Sequence, residues 1–84
     1  MYKLIFSPQA NKERKKLPLG IQLAIVRKLR YFLSSDNPLV FASRLKDHEL
    51  GNYRFRVGDY RVIFDVENET ITVLTVGHRK DIYR

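Results

Sequence analysis

The chain has 84 residues, a formal net charge of +7 and no cysteine, which excludes a disulfide framework and a thiolate zinc centre. Its 44% hydrophobic content is that of a globular protein rather than a disordered chain, and no apolar run approaches the ~20 residues of a membrane span. The length suits a single domain, residues 1–84, with a modest core, and a sequence pI of about 10.0 favours a polyanionic partner, because clustered Lys and Arg gain by displacing counterions at phosphates.

Tyr2 to Phe6 reads as a short strand. The apolar stretch there is cut off by Pro8 and is too brief for a secretory signal, so a cytoplasmic protein is expected. Ser7 and Pro8 form a helix start, Ser as cap and Pro at the first helical position. The charged run QANKERKKL continues that helix, with Ala10 and Leu17 as its apolar anchors, and Pro18-Leu19-Gly20 breaks it. A second helix spans Leu19 to Leu33: Ile21, Ala24, Ile25, Leu29, Phe32 and Leu33 recur at three- and four-residue steps and mark one buried face. Ser34-Ser35-Asp36-Asn37-Pro38 stops it.

Leu39 to Asn52 reads as irregular. Three strand patterns follow: YRFRV (53–57), YRVIFDV (60–66) and TITVLTV (70–76). Gly58-Asp59 suits a two-residue hairpin loop, Gly taking the position that needs positive φ, and Glu67-Asn68-Glu69 makes the second turn. The tail GHRKDIYR is polar but keeps Ile82 and Tyr83. The order β-α-α-β-β-β predicts an α+β domain, with two N-terminal helices covering one face of a small, mainly antiparallel sheet.

Side chains alternate along a strand, so Tyr53, Phe55 and Val57 face one way and Arg54 and Arg56 the other. A two-residue loop at Gly58-Asp59 pairs Val57 with Tyr60 and Arg56 with Arg61. Arg54, Arg56 and Arg61 then share the face opposite the aromatic residues, with Arg79 just beyond the adjoining strand. Like charges paired across a sheet destabilise it by roughly 0.2–1 kcal/mol, and a bound polyanion reverses the sign. The bland alternative is a solvated face screened by Asp59, Asp65 or Asp81. Three arginines on one face, each able to grip phosphate oxygens in a bidentate way, favour a phosphate site.

Other chemistry is thin. His48 and His78 lack metal-ligand spacing to each other or to a carboxylate, no close Asp/Glu pair suits a two-metal nuclease, and there is no glycine-rich phosphate loop. An enzyme built on this chain would use Arg, His and Tyr side chains, without metal or other cofactor.

Taken together, GNYRFRVGDYRVIFDV, the closing VGHRKDIYR and the early FSPQANKERKKLP resemble the RelE/ParE superfamily of type II toxin–antitoxin toxins, across essentially the whole chain. The resemblance implies one of two activities. RelE-like toxins enter the ribosomal A site and cut messenger RNA by attack of the ribose 2′-OH on the adjacent phosphate; ParE-like toxins inhibit DNA gyrase. All five positions of the RNA-cutting site hold residues of suitable type, which favours the RelE-like mRNA interferase. Arg61 would clamp the phosphate with Arg54 and Arg56 supporting it, Arg79 would stabilise the leaving group, and Tyr83 would position a base. RelE-type sites carry lysine where Arg54 and Arg56 stand, and arginine does not give up its proton at ordinary pH. The general base is therefore sought in His78, with Tyr83 second. The resemblance also implies an acidic, RelB-like antitoxin encoded alongside, in a hetero-oligomer, with ribosome and mRNA as the other partners and no membrane. The remaining readings are a gyrase inhibitor and an inactive basic binding module on the same fold.

Overall fold

The chain leaves a short strand, β1 (Lys3–Phe6), and turns at once into α1 (Pro8–Lys15). Ser7 makes that junction abrupt: its Oγ accepts from the Ala10 amide at 3.1 Å, while Pro8 supplies the first helical residue without wasting a donor. Lys12, Arg14 and Lys15 lie in the last turn, where positive charge complements the helix dipole. Pro18 caps α2 (Leu19–Leu33), so Leu19 and Gly20 belong to the second helix and the break falls before them. The computed structural model describes residues 1–46 and 49–83, and His48, weighed above as a metal ligand, lies outside the described residues.

A 3₁₀ turn over Pro38–Phe41 leads into β2 (Ala42–Arg44), followed by β3 (Tyr53–Val57), β4 (Tyr60–Glu67) and β5 (Thr70–His78). The sheet order is β1-β5-β4-β3-β2, with β1 parallel to β5 and every other pair antiparallel. The α+β arrangement of helices on a small, mainly antiparallel sheet is thus as the sequence indicated. The segment expected to be irregular contributes a fifth strand instead. Asn37 starts it by accepting from the Leu39 amide, and β2 then pairs Ala42 with Phe55 and Arg44 with Tyr53. Three residues are too few to display a two-residue period, so only the pairing reveals this strand.

α2 lays Ile25, Leu29 and Phe32 on the sheet, with Ile21 and Leu33 partly buried beside them. Ala24, expected on that face, is exposed: it sits about 100° around the helix from Ile25, off the side that meets the sheet. Phe55 and Phe64, both fully buried, stack with ring centroids 4.4 Å apart, and Phe32 meets Phe55 at 4.7 Å. Burial of each such side chain contributes on the order of 1.5–3 kcal/mol, so this aromatic column is a main source of cohesion between helices and sheet.

The β4–β5 ladder is not regular. Phe64 pairs with Val73 but Ile63 pairs with Thr75, leaving Leu74 as an extra residue in a β-bulge. Side chains from α1 and its cap hold the bulge. Glu13 Oε1 accepts from Thr75 Oγ1 at 2.8 Å and from the Val76 amide at 3.0 Å, and Ser7 Oγ donates to the Leu74 carbonyl.

The two hairpin loops solve the same problem differently. At Gly58-Asp59 only the glycine has positive φ (59°), the pattern of a type II′ turn. At Asn68-Glu69 both residues do, at 49° and 61°, the type I′ pattern that normally places glycine second. Glu69 therefore holds a left-handed conformation that costs a side-chain-bearing residue roughly 1–2 kcal/mol. Glu69→Gly is expected to raise thermal stability by about 1 kcal/mol, net of the entropy glycine loses on folding. Glu13→Ala strips acceptors from a buried threonine and a bulge amide, and chemical denaturation should show a loss of about 1–3 kcal/mol.

Candidate functional site

Register places the arginines. Val57 pairs with Tyr60 and Arg56 with Arg61 across the hairpin, and Arg54 lies opposite Ile63. Arg54, Arg56 and Arg61 therefore share the sheet face turned away from the aromatic column. Their environments differ: Arg56 is exposed, Arg54 half-buried, and Arg61 only 8% exposed.

Arg61 is the unusual member. Its Nη1 donates to the Gly58 carbonyl at 2.9 Å and to the Tyr60 carbonyl at 3.0 Å, both in its own hairpin. Among the described residues no carboxylate forms an ion pair with it. Burial pushes its pKa below the ordinary value, and the positive charges of Arg56 and Arg54 push the same way; Tyr83 acts in the opposite direction and Arg79 adds a little to the lowering. Two of the acids that could have screened the face have partners other than Arg54, Arg56 and Arg61. Asp59 Oδ1 lies 3.7 Å from Arg79 Nε in an exposed contact, and Asp65 Oδ1 accepts from the Asn52 amide at 2.7 Å. A desolvated guanidinium ringed by like charge, and paired only with peptide carbonyls, has a strong unmet demand for an anion.

Apolar covers border the arginine face. Ile63, fully buried on the same face, lies under the loop before β3, where a Cβ added to Gly51 would stand 2.8 Å from Ile63 Cγ2. Gly77 stands opposite Arg61, and Ile82, buried, packs above it from the C-terminal turn. The bulge decides this: a regular ladder carried on from Phe64 and Val73 would set Val76 opposite Arg61. Tyr83 follows, and Arg54 Nη1 donates to its hydroxyl at 2.9 Å.

The structure thus brings Arg54, Arg56, Arg61 and Tyr83 together. Arg79 sits at the rim, its amide donating to the Asp59 carbonyl at 2.8 Å. It does not bring His78 to them. His78 pairs with Tyr60 and therefore takes the opposite face of the sheet, where the two rings meet edge-on at 5.2 Å and Nδ1 accepts from the Lys80 amide at 3.1 Å. The one-residue alternation between Arg61–Gly77 and Tyr60–His78 is the reason. Sequence reasoning passed over Glu13, Gly51, Ile63 and Gly77; of the residues around the site only Ile82, an apolar outlier in a polar tail, carried a visible signal.

The profile of a family described as the ParE toxin of a type II toxin–antitoxin system, parDE, matches residues 4–83. The chain is similar to Toxin RelG of Mycobacterium tuberculosis, 34% identical over 85 residues that cover 99% of this chain and 97% of that protein. Among solved structures it is similar to the toxin–antitoxin complex RelBE2 of Mycobacterium tuberculosis, with a TM-score of 0.77, 30% identity and coverage of 95% of this chain and 93% of the other. It is also similar to the RelB–RelE antitoxin–toxin complex of Methanococcus jannaschii, with a TM-score of 0.72, 28% identity and 94% coverage of both chains.

Removing one of the opposed cations should separate stability from binding. Arg56→Gln is expected to raise stability by about 0.2–1 kcal/mol at low ionic strength and to reduce the rise in melting temperature that inorganic phosphate produces. Thermal scans of both proteins with and without phosphate check this.

Proposed function

Because this chain belongs to the RelE/ParE superfamily of toxin–antitoxin toxins, in its RelE-like branch, we propose that it is a ribosome-dependent endoribonuclease that cuts messenger RNA in the A site and so stops translation. The observation that carries this reading is the nearly buried Arg61, flanked by Arg54 and Arg56 and without a carboxylate partner among the described residues.

In the reaction proposed, the ribose 2′-oxygen attacks the adjacent phosphorus and the bond to the 5′-oxygen breaks. A 2′,3′-cyclic phosphate and a 5′-hydroxyl result. One proton leaves the 2′-OH and one reaches the departing oxygen, so the step is balanced without any other reactant. Arg61 holds the phosphate oxygens as negative charge gathers on them, and Arg54 and Arg56 share that load; fixed donors of this kind cost no reorganisation when the charge develops. Arg79, at the rim, meets the leaving 5′-oxygen. Tyr83 presents its ring to a base, and its hydroxyl, already accepting from Arg54, is the proton-handling group nearest the phosphate. This allocation moves the proton from His78, the first choice on sequence, to Tyr83, because His78 lies across the sheet from the arginines.

The same family membership supports a RelB-like antitoxin as partner, since the similar solved structures are complexes of that kind. A net charge of +7 suits an acidic chain that masks the arginine face. A second reading, inhibition of DNA gyrase, is favoured by the description of the matching family profile as a ParE toxin. A supercoiling assay with purified protein separates the two.

Arg61→Ala is expected to slow cleavage on programmed ribosomes by about 10²–10³-fold while cooperative unfolding is retained. Toeprinting measures the cut. If the variant blocks translation in a cell-free extract as fully as the wild type, the site is misassigned.

A further inference from the structure

Gly77 stands opposite Arg61 and puts no side chain onto the arginine face. Ile82 fills the space: its Cβ, Cγ1 and Cδ1 lie 3.7–3.8 Å from where a Gly77 Cβ would stand. Ile82 is 8% exposed, whereas Arg79, Lys80, Asp81 and Tyr83 around it are all exposed. Three amides of the turn that delivers it bond to one residue. The Asp81 and Ile82 amides both donate to the His78 carbonyl, at 2.9 and 3.0 Å, and the Lys80 amide donates to His78 Nδ1.

The next residue is Tyr83, whose hydroxyl meets Arg54, 29 positions earlier in the chain. An exposed hydrogen bond is a weak restraint on an exposed segment, because ordering it costs conformational entropy that water-competed contacts poorly offset. Burial of an isoleucine supplies what that bond lacks. The lack of a bulky side chain at 77 is the condition for it, and the bulge at Leu74 is what sets Gly77 rather than Val76 at that position.

We propose that Ile82 is the positioning residue for Tyr83: seated on Gly77, it holds the tyrosine over the arginine face and acts on RNA only through it. This rests on the reading of that face as the phosphate site. His78 shares the task from the other side of the sheet, as the anchor of the turn.

The test uses the full chain in two arms. The first is an NMR contact between the Tyr83 ring and the Arg54 side chain, measured in wild type, Ile82→Ala, Ile82→Val and Gly77→Val. The contact should vanish in Ile82→Ala and Gly77→Val and persist in Ile82→Val, with cross-strand contacts among β3, β4 and β5 unchanged. Should Ile82→Ala unfold, Gly77→Val interrogates the same seat by filling it. The second arm is cleavage on programmed ribosomes. Ile82→Ala should lower kcat by about tenfold to a hundredfold, matching Tyr83→Ala, and the double variant should be no slower than Tyr83→Ala alone. Multiplying effects in the double variant, or a Tyr83–Arg54 contact that survives in Ile82→Ala, overturns the proposal. A wild-type protein that cuts no message sinks the nuclease reading instead, and the NMR arm then decides the role of Ile82 by itself.

Discussion

Glu13 reaches out of α1 to the two consecutive residues of β5, Thr75 and Val76, at which the ladder has slipped by one position. Before the slip, Ile71 and Val73 face the helices; after it, Val76 does so, Gly77 comes opposite Arg61, and His78 comes beside Tyr60. Each of those placements would shift by one residue, and therefore to the other face, in a regular ladder. Beside the bulge residue, a carboxylate from the helix layer accepts from the Thr75 hydroxyl and the Val76 amide. What β5 sets opposite the arginines, Gly77 with Ile82 packed on it, is thus tied to a glutamate that lies outside the site.

The energetic balance explains how such a site survives in a chain of this size. The opposed pair Arg56–Arg61 costs roughly 0.2–1 kcal/mol, less than the burial of either Phe55 or Phe64 contributes. The aromatic column on the helix side therefore tolerates an unfavourable arrangement on the other side of the same strands. Arg61 adds desolvation to repulsion, and its contacts with the Gly58 and Tyr60 carbonyls hold the guanidinium without neutralising it. The result is a cation fixed in place before any anion arrives, which is the condition for electrostatic catalysis at a phosphate.

Arginine at positions 54 and 56 changes the division of labour in the proposed reaction. Guanidinium groups hold charge and do not take up protons at ordinary pH. Proton transfer then needs a different side chain on the same face, and Tyr83 is present there because a C-terminal turn folds back over Gly77. One tight turn anchored at His78 thereby brings to Arg54 a hydroxyl from outside the sheet.

Much of this was legible in the amino-acid sequence, because local rules suffice for it. Period-two alternation and a two-residue loop put Arg54, Arg56 and Arg61 on one face, and cap chemistry at Ser7-Pro8 and spacing in α2 located both helices. What the sequence could not disclose depends on partners far along the chain. β2 is too short to show a period and exists only through pairing with β3. Ala24 fits a helical stripe in one dimension, but it sits off the side of α2 that meets the sheet and is exposed. His78 was the first choice for the general base, yet a bulge held by a residue more than sixty positions away set it on the opposite face. Sequence by itself determined which residue types were available to grip a phosphate; tertiary structure alone decided which of them meet, because strand parity beyond a bulge follows from non-local hydrogen bonds and not from local spacing.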